Sequence, residues 1–296
     1  MDKFEKLLNK KKILVADGAW GTEISKDKNC GKQYPEILNI TCPDIIENIA
    51  REYVEAGADI ISTNTFGGNA VKLKKYGVEE KIIEINKMGV ELSLKAAHET
   101  IVFASMGPMG VLLEPYGEIT EKDAELCFKQ QAKILIDSGA DGIIIETMSD
   151  IKEAICALTA VKSITNKPVI VSMTFNKNLS GYKTIMGTDV KKCIELLEKH
   201  GATAVGANCG FGIKDFIDIV GQIKHSTSLP VWIKPNAGIP RLIEGKTVYP
   251  DTPEYMASFI PKIIEEGISI IGGCCGTTPR HISKFVQVVS TYWKNQ

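Results

Sequence analysis

The sequence is poor in arginine, in unbroken apolar runs and in net charge, and each scarcity excludes a class of protein. Arginine occurs only as Arg51, Arg241 and Arg280, so guanidinium clamps for phosphate groups are scarce. The 35 basic residues balance 36 acidic residues, which gives a formal net charge of -1 and no general attraction to nucleic acid or to an anionic membrane. No stretch reaches the roughly 18 consecutive apolar residues of a membrane span, and the basic N-terminus lacks the apolar region of a signal peptide. We therefore expect a cytoplasmic protein that binds neither nucleic acid nor membrane.

The eight cysteines are the residues whose chemistry this expected location constrains most. In a reducing compartment a cysteine is a core residue, a metal ligand or a nucleophile, and disulfides are not expected. Cys127, Cys156 and Cys193 lie in helical patterns and are predicted to be core residues. Cys30 and Cys42 follow the first predicted strand and are expected to be exposed or simply packed.

Short apolar runs alternate with amphipathic helical patterns along the whole chain. Eight runs predict strands, at 13–16, 59–64, 101–106, 141–147, 169–175, 204–208, 231–235 and 268–273. Eight patterns predict helices, at 43–57, 79–99, 121–138, 150–165, 189–200, 214–225, 253–266 and 279–292. The sequences EAGAD, DSGAD, KHGAT and EEGIS recur where a helix ends on a glycine and a strand begins at once.

Strict alternation with short connections predicts a parallel sheet, and eight units close such a sheet into a single-domain (β/α)8 TIM barrel spanning residues 1–296. The alternative is a doubly wound open sheet. That fold normally has a glycine-rich phosphate loop after its first strand, and DGAWGT at 17–22 does not match its spacing.

Three cysteines follow two of the predicted strands. Cys209 follows the sixth strand, and Cys274 and Cys275 follow the eighth, so a barrel brings all three to one rim. The neighbouring glycines allow the chain to turn so that both adjacent thiols face one point. Three thiolates suit zinc, and three protein ligands with one open position are typical of a catalytic zinc site. A redox pair formed by Cys274 and Cys275 is the alternative, although it leaves Cys209 without a role.

The motifs around these cysteines resemble those of the homocysteine S-methyltransferase family, and most closely the homocysteine-binding module of cobalamin-dependent methionine synthase. The resemblance rests on GANCG at 206–210 and GGCCGTTPRHI at 272–282, and it extends over DGAWGTEI, PEILNITCPDII, EAGADIISTNTFGGNA, IETMSDIKE, VSMTF and KPNAGIPRLIEGKTVYPDTPE. It implies a (β/α)8 barrel and a methyltransferase. It also implies that Cys209, Cys274 and Cys275 bind zinc as the catalytic centre, and that the sulfur of homocysteine takes the fourth position to yield methionine.

The amino-acid end of homocysteine needs contacts of its own. Asp17 and Glu146 end the first and fourth strands, and the resemblance implies that they accept hydrogen bonds from the substrate ammonium. Either residue could instead only cap a turn. The backbone amides of Gly18 and Ala19 suit the carboxylate. Asn236, in KPNAG, is predicted to be a polar group near the zinc that fills the fourth position when substrate is absent.

The methyl donor is the remaining question. The resemblance favours a methylcorrinoid that another protein or domain carries, with this chain acting as a segment or subunit beside it. One alternative is a small donor used directly, either S-methylmethionine or betaine. A second alternative is a zinc-binding or thiol-binding protein that transfers no methyl group.

Overall fold

All eight predicted strands are present and pair in parallel around one barrel. The structure is a computed structural model, and it describes residues 1–27, residue 30 and residues 33–294. The expected span of 1–296 therefore includes six residues that lie outside the described ones. The barrel strands are β1 Leu14–Val15, β2 Ile60–Ser62, β3 Ile101–Met106, β4 Gly142–Met148, β5 Val169–Met173, β8 Ala204–Gly212, β9 Val231–Asn236 and β12 Ile270–Ile271. They follow the order β1-β12-β9-β8-β5-β4-β3-β2, and a parallel bridge between Ala16 and Ile60 joins β1 to β2 and closes the barrel.

Helices surround this barrel, and they include all the predicted ones. The helices are α1 Lys3–Lys11, α2 Trp20–Ile24, α3 Leu38–Thr41, α4 Pro43–Glu55, α5 Ala70–Lys75, α6 Ile82–Ala97, α7 Glu121–Asp137, α8 Ile151–Lys162, α9 Val190–Lys199, α10 Ile213–Lys224, α11 Pro253–Ser258, α12 Ile260–Glu265 and α13 Pro279–Lys294. The helix predicted at 253–266 is in fact two, α11 and α12, which meet at Phe259. Pro261 explains the break, because proline cannot donate the backbone hydrogen bond that a continuous helix needs.

The predicted glycine ends of four helices are confirmed. Gly57, Gly139, Gly201 and Gly267 all have positive φ angles, between 86° and 103°. This left-handed conformation ends each helix and sends the chain directly into the next strand.

The core of the barrel is apolar at one end and polar at the other. Side chains that alternate along the strands, such as Leu14 and Ile60, pack inside the barrel with Phe4 of α1, whose ring contacts Phe103 edge-on at 5.4 Å. Helix α1 therefore covers the amino-terminal end of the strands. Within the described residues, no helix is both long enough and apolar enough to cross a membrane.

Two antiparallel hairpins were not predicted, and both follow barrel strands on the carboxyl side. One joins β6 Asn176–Asn178 to β7 Gly181–Lys183, and the other joins β10 Arg241–Ile243 to β11 Lys246–Val248. Their residues are mostly exposed, so they lack the buried apolar pattern on which strand prediction depends.

The cysteine predictions are partly wrong. Cys30 and Cys42 form a disulfide, although no disulfide was expected. The expectation rested on the compartment and took no account of the short helical turns between the two residues, which bring the sulfurs together. Cys156 and Cys193 are buried core residues as predicted, and burial raises the pKa of each thiol to about 12. Cys127 is partly buried against the same core.

Candidate active site

The three predicted cysteines come together at the carboxyl end of the barrel. The sulfurs of Cys209, Cys274 and Cys275 all lie within 4.8 Å of one another, and those of Cys209 and Cys275 are 4.0 Å apart. All three are free thiols, and each is partly exposed. Hydrogen bonds with Cys274 and Cys275 lower the pKa of Cys209 to about 3, so the cluster favours a thiolate at this position.

The loop after β12 turns sharply enough for both adjacent thiols to face the same point. The backbone amide of Cys274 donates to the carbonyl of Pro235, and the carbonyl of Cys275 accepts from the amide of Ala237, which fixes the loop to the end of β9. Gly276 then adopts a φ of 82°, and a Cβ atom there would clash with the ring of Tyr249. The Tyr249 hydroxyl forms a hydrogen bond with the sulfur of Cys275. The predicted role of the glycines in aiming the thiols thus has a physical basis at Gly276.

Asn208 connects Cys274 to the ends of two other strands. Its Oδ1 accepts from the amide of Thr147 at 2.9 Å and from the hydroxyl of Ser172 at 2.7 Å. Its Nδ2 donates to Thr147 Oγ1 at 2.8 Å and contacts the sulfur of Cys274 at 3.8 Å. These four contacts use the full capacity of the amide. Cys209 and Thr147 both have a φ of 62°, which is uncommon for residues other than glycine, and Asn208 helps to hold this strained geometry.

Asp17 lies at the end of β1 as predicted, but its carboxylate is fully occupied within the protein. It is completely buried and accepts hydrogen bonds from the Ser62 amide at 2.7 Å, Ser62 Oγ at 3.0 Å, Trp20 Nε1 at 2.7 Å and Lys234 Nζ at 2.7 Å. A carboxylate has about four lone-pair positions, so no acceptor position is left over. Direct contact between Asp17 and a substrate ammonium stays a prediction, and it would require one of these bonds to break.

Glu146 and Lys234 are two further charged residues close to Asp17. Glu146 accepts a hydrogen bond from the hydroxyl of Ser105. Burial raises the pKa of Glu146, and the charge of Lys234 lowers it only in part. Burial alone would lower the pKa of Lys234, but the charges of Asp17 and Glu146 outweigh it and raise that pKa, so the ammonium stays charged. Lys234 escaped the sequence analysis because lysines are numerous, although its place near the end of a predicted strand was a usable signal.

The other predicted site residues also lie here. The side chain of Asn236 is buried and forms a hydrogen bond with Cys209, while its Oδ1 has no partner among the described residues. The Ala19 amide already donates to Thr277 Oγ1 at 3.1 Å. The Gly18 amide has no hydrogen-bond partner within the described part of the chain. Asn236 thus lies beside the cluster, and its role as a ligand stays a prediction.

The three cysteines, Glu146, Lys234, Gly18 and Ala19 line a cavity of about 610 Å³, a volume that suits a small-molecule site. Asp17, Asn208 and Asn236 are not among its lining residues. Glu36, which the sequence analysis missed, also lines it. Its side chain is buried, the Gly67 amide donates to its Oε1, and its Oε2 has no partner among the described residues. The cavity is lined by Gly18, Ala19, Trp20, Gly21, Thr22, Ser25, Pro35, Glu36, Ser62, Thr63, Asn64, Phe66, Ser105, Glu146, Thr147, Cys209, Lys234, Thr247, Tyr249, Gly273, Cys274 and Cys275.

The donor set fits zinc. Tetrahedral zinc with sulfur ligands at about 2.3 Å places those sulfurs about 3.8 Å apart. The 4.0 Å between the sulfurs of Cys209 and Cys275 is close to this value, and three thiolates are the soft ligands that zinc accepts. The cluster can therefore hold zinc through three cysteines. Among the described residues no histidine belongs to a cluster that could hold a metal ion. His200, His225 and His281 form hydrogen bonds with backbone atoms.

The sequence as a whole identifies the family. The family model described as homocysteine S-methyltransferase matches residues 14–289. The chain belongs to the homocysteine S-methyltransferase family. The members of this family are methyltransferases. The chain is 31% identical to a methionine synthase from Mycobacterium leprae and 30% identical to one from Mycobacterium tuberculosis, each over 94% of this chain. It covers 24% and 25% of those two proteins, so it spans about a quarter of the length of the curated relatives it matches.

Two solved structures have the same fold as this chain. The metallated form of the homocysteine methyltransferase MmuM from Escherichia coli superposes with a TM-score of 0.81 at 22% identity. The match covers 96% of this chain and 99% of the other. The oxidized form of the same enzyme gives the same TM-score at 21% identity. These similarities confirm the predicted (β/α)8 barrel.

Proposed function

We propose that the protein is a zinc-dependent homocysteine S-methyltransferase that makes methionine with a methyl group from a methylcorrinoid. The observation that carries this proposal is the cluster of Cys209, Cys274 and Cys275, whose sulfurs lie within 4.8 Å of one another on the wall of a cavity that also contains buried charged groups. Membership of the homocysteine S-methyltransferase family supports it.

The chain's own residues would bind and orient the substrate. The three cysteines hold the metal, and Asn236 stays next to Cys209. When bound, zinc supplies a Lewis acid that lowers the pKa of the substrate thiol, which in free cysteine is about 8.5, so that a thiolate exists at neutral pH. Glu146 attracts the ammonium of homocysteine. Asp17 holds the Lys234 ammonium in place through their hydrogen bond.

In the proposed methyl transfer, one bond forms as another breaks. A sulfur–carbon bond forms between homocysteine and the methyl group, the bond from the methyl group to its donor breaks, and that electron pair stays with the donor. The thiol proton is released when the thiol binds. The sequence motifs support a methylcorrinoid donor, because they resemble those of cobalamin-dependent methionine synthase. A corrinoid is bulky, so its carrier would have to dock over the carboxyl ends of the strands.

The test is to incubate the zinc-loaded protein with homocysteine and, in turn, methylcobalamin, S-methylmethionine or betaine, and to measure methionine. We expect turnover with methylcobalamin and little with betaine, and we expect Cys275→Ala to abolish it. Turnover with S-methylmethionine and none with methylcobalamin would contradict the proposed methylcorrinoid donor, while the proposed zinc site and methyl transfer to homocysteine would stand. No methionine from any donor, with zinc fully bound, would favour a thiol-binding protein without transferase activity.

A further inference from the structure

Lys234 is a buried ammonium with more hydrogen-bond donors than the protein uses. The residue is 3% exposed, and its side chain lies on the wall of the cavity. Among the described residues, its only hydrogen-bond partner is Asp17, at 2.7 Å. An ammonium has three N–H donors, and buried donors in native proteins are normally paired. Two donors of Lys234 therefore have no hydrogen-bond partner among the described residues. The nearest ring is that of Trp232, whose centroid lies 5.9 Å from Nζ.

The neighbouring groups indicate what kind of ligand this is. The Ala19 amide, one of the two amides predicted to bind a carboxylate, is taken by Thr277. Of the predicted anion donors only the Gly18 amide is left, and a full positive charge at Lys234 binds an anion more strongly than a neutral amide does. Asp17 cannot serve as the counterion for an additional cation, because its four acceptor positions are filled.

Glu146 lies close enough to Lys234 for each charge to shift the pKa of the other. Both residues line the cavity, which thus presents a negative and a positive group to a bound molecule. An α-amino acid carries its ammonium and its carboxylate on one carbon atom, so the two ends of this charge pair match the two ends of the zwitterion.

We infer that Lys234 binds the carboxylate of the amino-acid substrate while Glu146 binds its ammonium, and that Asp17 is a positioning residue that holds Lys234 in place. This inference rests on the proposed function, since it concerns the same cavity and the same thiol substrate. It assigns a substrate-binding role to Lys234, which the sequence motifs did not predict as a site residue.

The test compares three thiols by calorimetric titration of the zinc-loaded protein. Homocysteine carries both groups, 3-mercaptopropylamine lacks the carboxylate, and 4-mercaptobutyrate lacks the ammonium. We expect the wild-type protein to bind homocysteine roughly tenfold or more tighter than 3-mercaptopropylamine, as is typical for one charge-assisted hydrogen bond. Lys234→Met should remove that preference. It should leave the binding of 3-mercaptopropylamine unchanged or tighter, because a positive charge near its ammonium is lost.

The controls separate recognition from a structural role. Lys167→Met removes a partly buried lysine that bonds the carbonyl of Ala140 outside the site, and it should preserve the preference. If Lys234→Met does not fold, the double variant Asp17→Asn, Lys234→Met removes both charges of the buried pair together. Equal weakening of homocysteine and 3-mercaptopropylamine in these variants would overturn the inference.

The wild-type protein alone can also refute it. Equal affinity for homocysteine and 3-mercaptopropylamine would overturn the inference whichever variants fold, and would leave the proposed function intact. If the zinc-loaded protein bound none of the three thiols, the proposed function would fail and the inference with it.

Discussion

Glu153 is a buried carboxyl group near the start of α8, and its replacement by glutamine should make the protein more stable at alkaline pH. The residue is 5% exposed, and its Oε1 accepts a hydrogen bond from the Met109 amide at 2.7 Å. Burial raises its pKa from 4.5 to about 7; the Met109 amide and Lys72 oppose this rise, and Asp150 adds to it.

The sign and size of the effect follow from the two pKa values. Because the pKa is higher in the native state, the native protein holds this proton more tightly than the unfolded chain does. The resulting stabilisation is complete below about pH 4.5 and is lost as the pH rises through about 7. At about 1.4 kcal/mol for each pH unit between the two values, the native state loses about 3 kcal/mol by pH 8. A glutamine keeps the acceptor for Met109 and cannot ionise.

The assay is urea unfolding of wild type and Glu153→Gln at pH 4.5 and pH 8. The variant should unfold with nearly the wild-type free energy at pH 4.5, and with about 3 kcal/mol more at pH 8. Glu265→Gln, at an exposed position on α12, is the matched control and should follow the wild type at both pH values. Parallel pH profiles for wild type and Glu153→Gln would refute the reasoning.

Two further predictions concern the metal cluster and the cavity wall. Cys274→Ala should reduce bound zinc from about one per chain towards none, while the circular dichroism spectrum stays unchanged. The control variant Cys127→Ala should keep the metal. Elemental analysis measures the zinc in both variants, and full zinc in Cys274→Ala would show that this residue is not a ligand. Gly67→Ala would put a Cβ atom 2.8 Å from Glu36 Oε1, whereas at Gly21 nothing lies within 4 Å. Gly67→Ala should therefore cost about 1–3 kcal/mol in urea unfolding and Gly21→Ala should cost nothing; equal stability of the two variants would contradict this packing argument.

The barrel could be predicted from the sequence because its strands are buried on both faces. Such strands read as short apolar runs, and each glycine that ends a helix in the left-handed conformation marks where the next run begins. Two features of the structure could not be predicted from this pattern. The β10–β11 hairpin is exposed and has no such pattern, and the break at Phe259 depends on one proline inside an otherwise regular helical segment.

The candidate site was predictable to the extent that its residues follow strands directly. Cys209 lies in the last part of β8, and Cys274 and Cys275 follow β12. The carboxyl ends of these two strands must lie on one rim, so the meeting of the three thiols could be inferred from position. The role proposed for Lys234 could not be inferred in this way, because it depends on how many of the lysine's own N–H donors remain unpaired beside the bond to Asp17. The spacing of residues along the chain does not show how many hydrogen-bond donors of a side chain are paired in the folded protein.

The four hydrogen-bonding contacts of Asn208 have a consequence for engineering. One amide group joins a sulfur of the three-cysteine cluster to Thr147, the residue that follows Glu146. Changes at the end of β4 intended to alter the substrate proposed for this cavity would therefore also disturb the environment of Cys274. Directed evolution of substrate choice in this barrel should consequently alter metal retention at the same time, and screens that follow one property alone would select variants defective in the other.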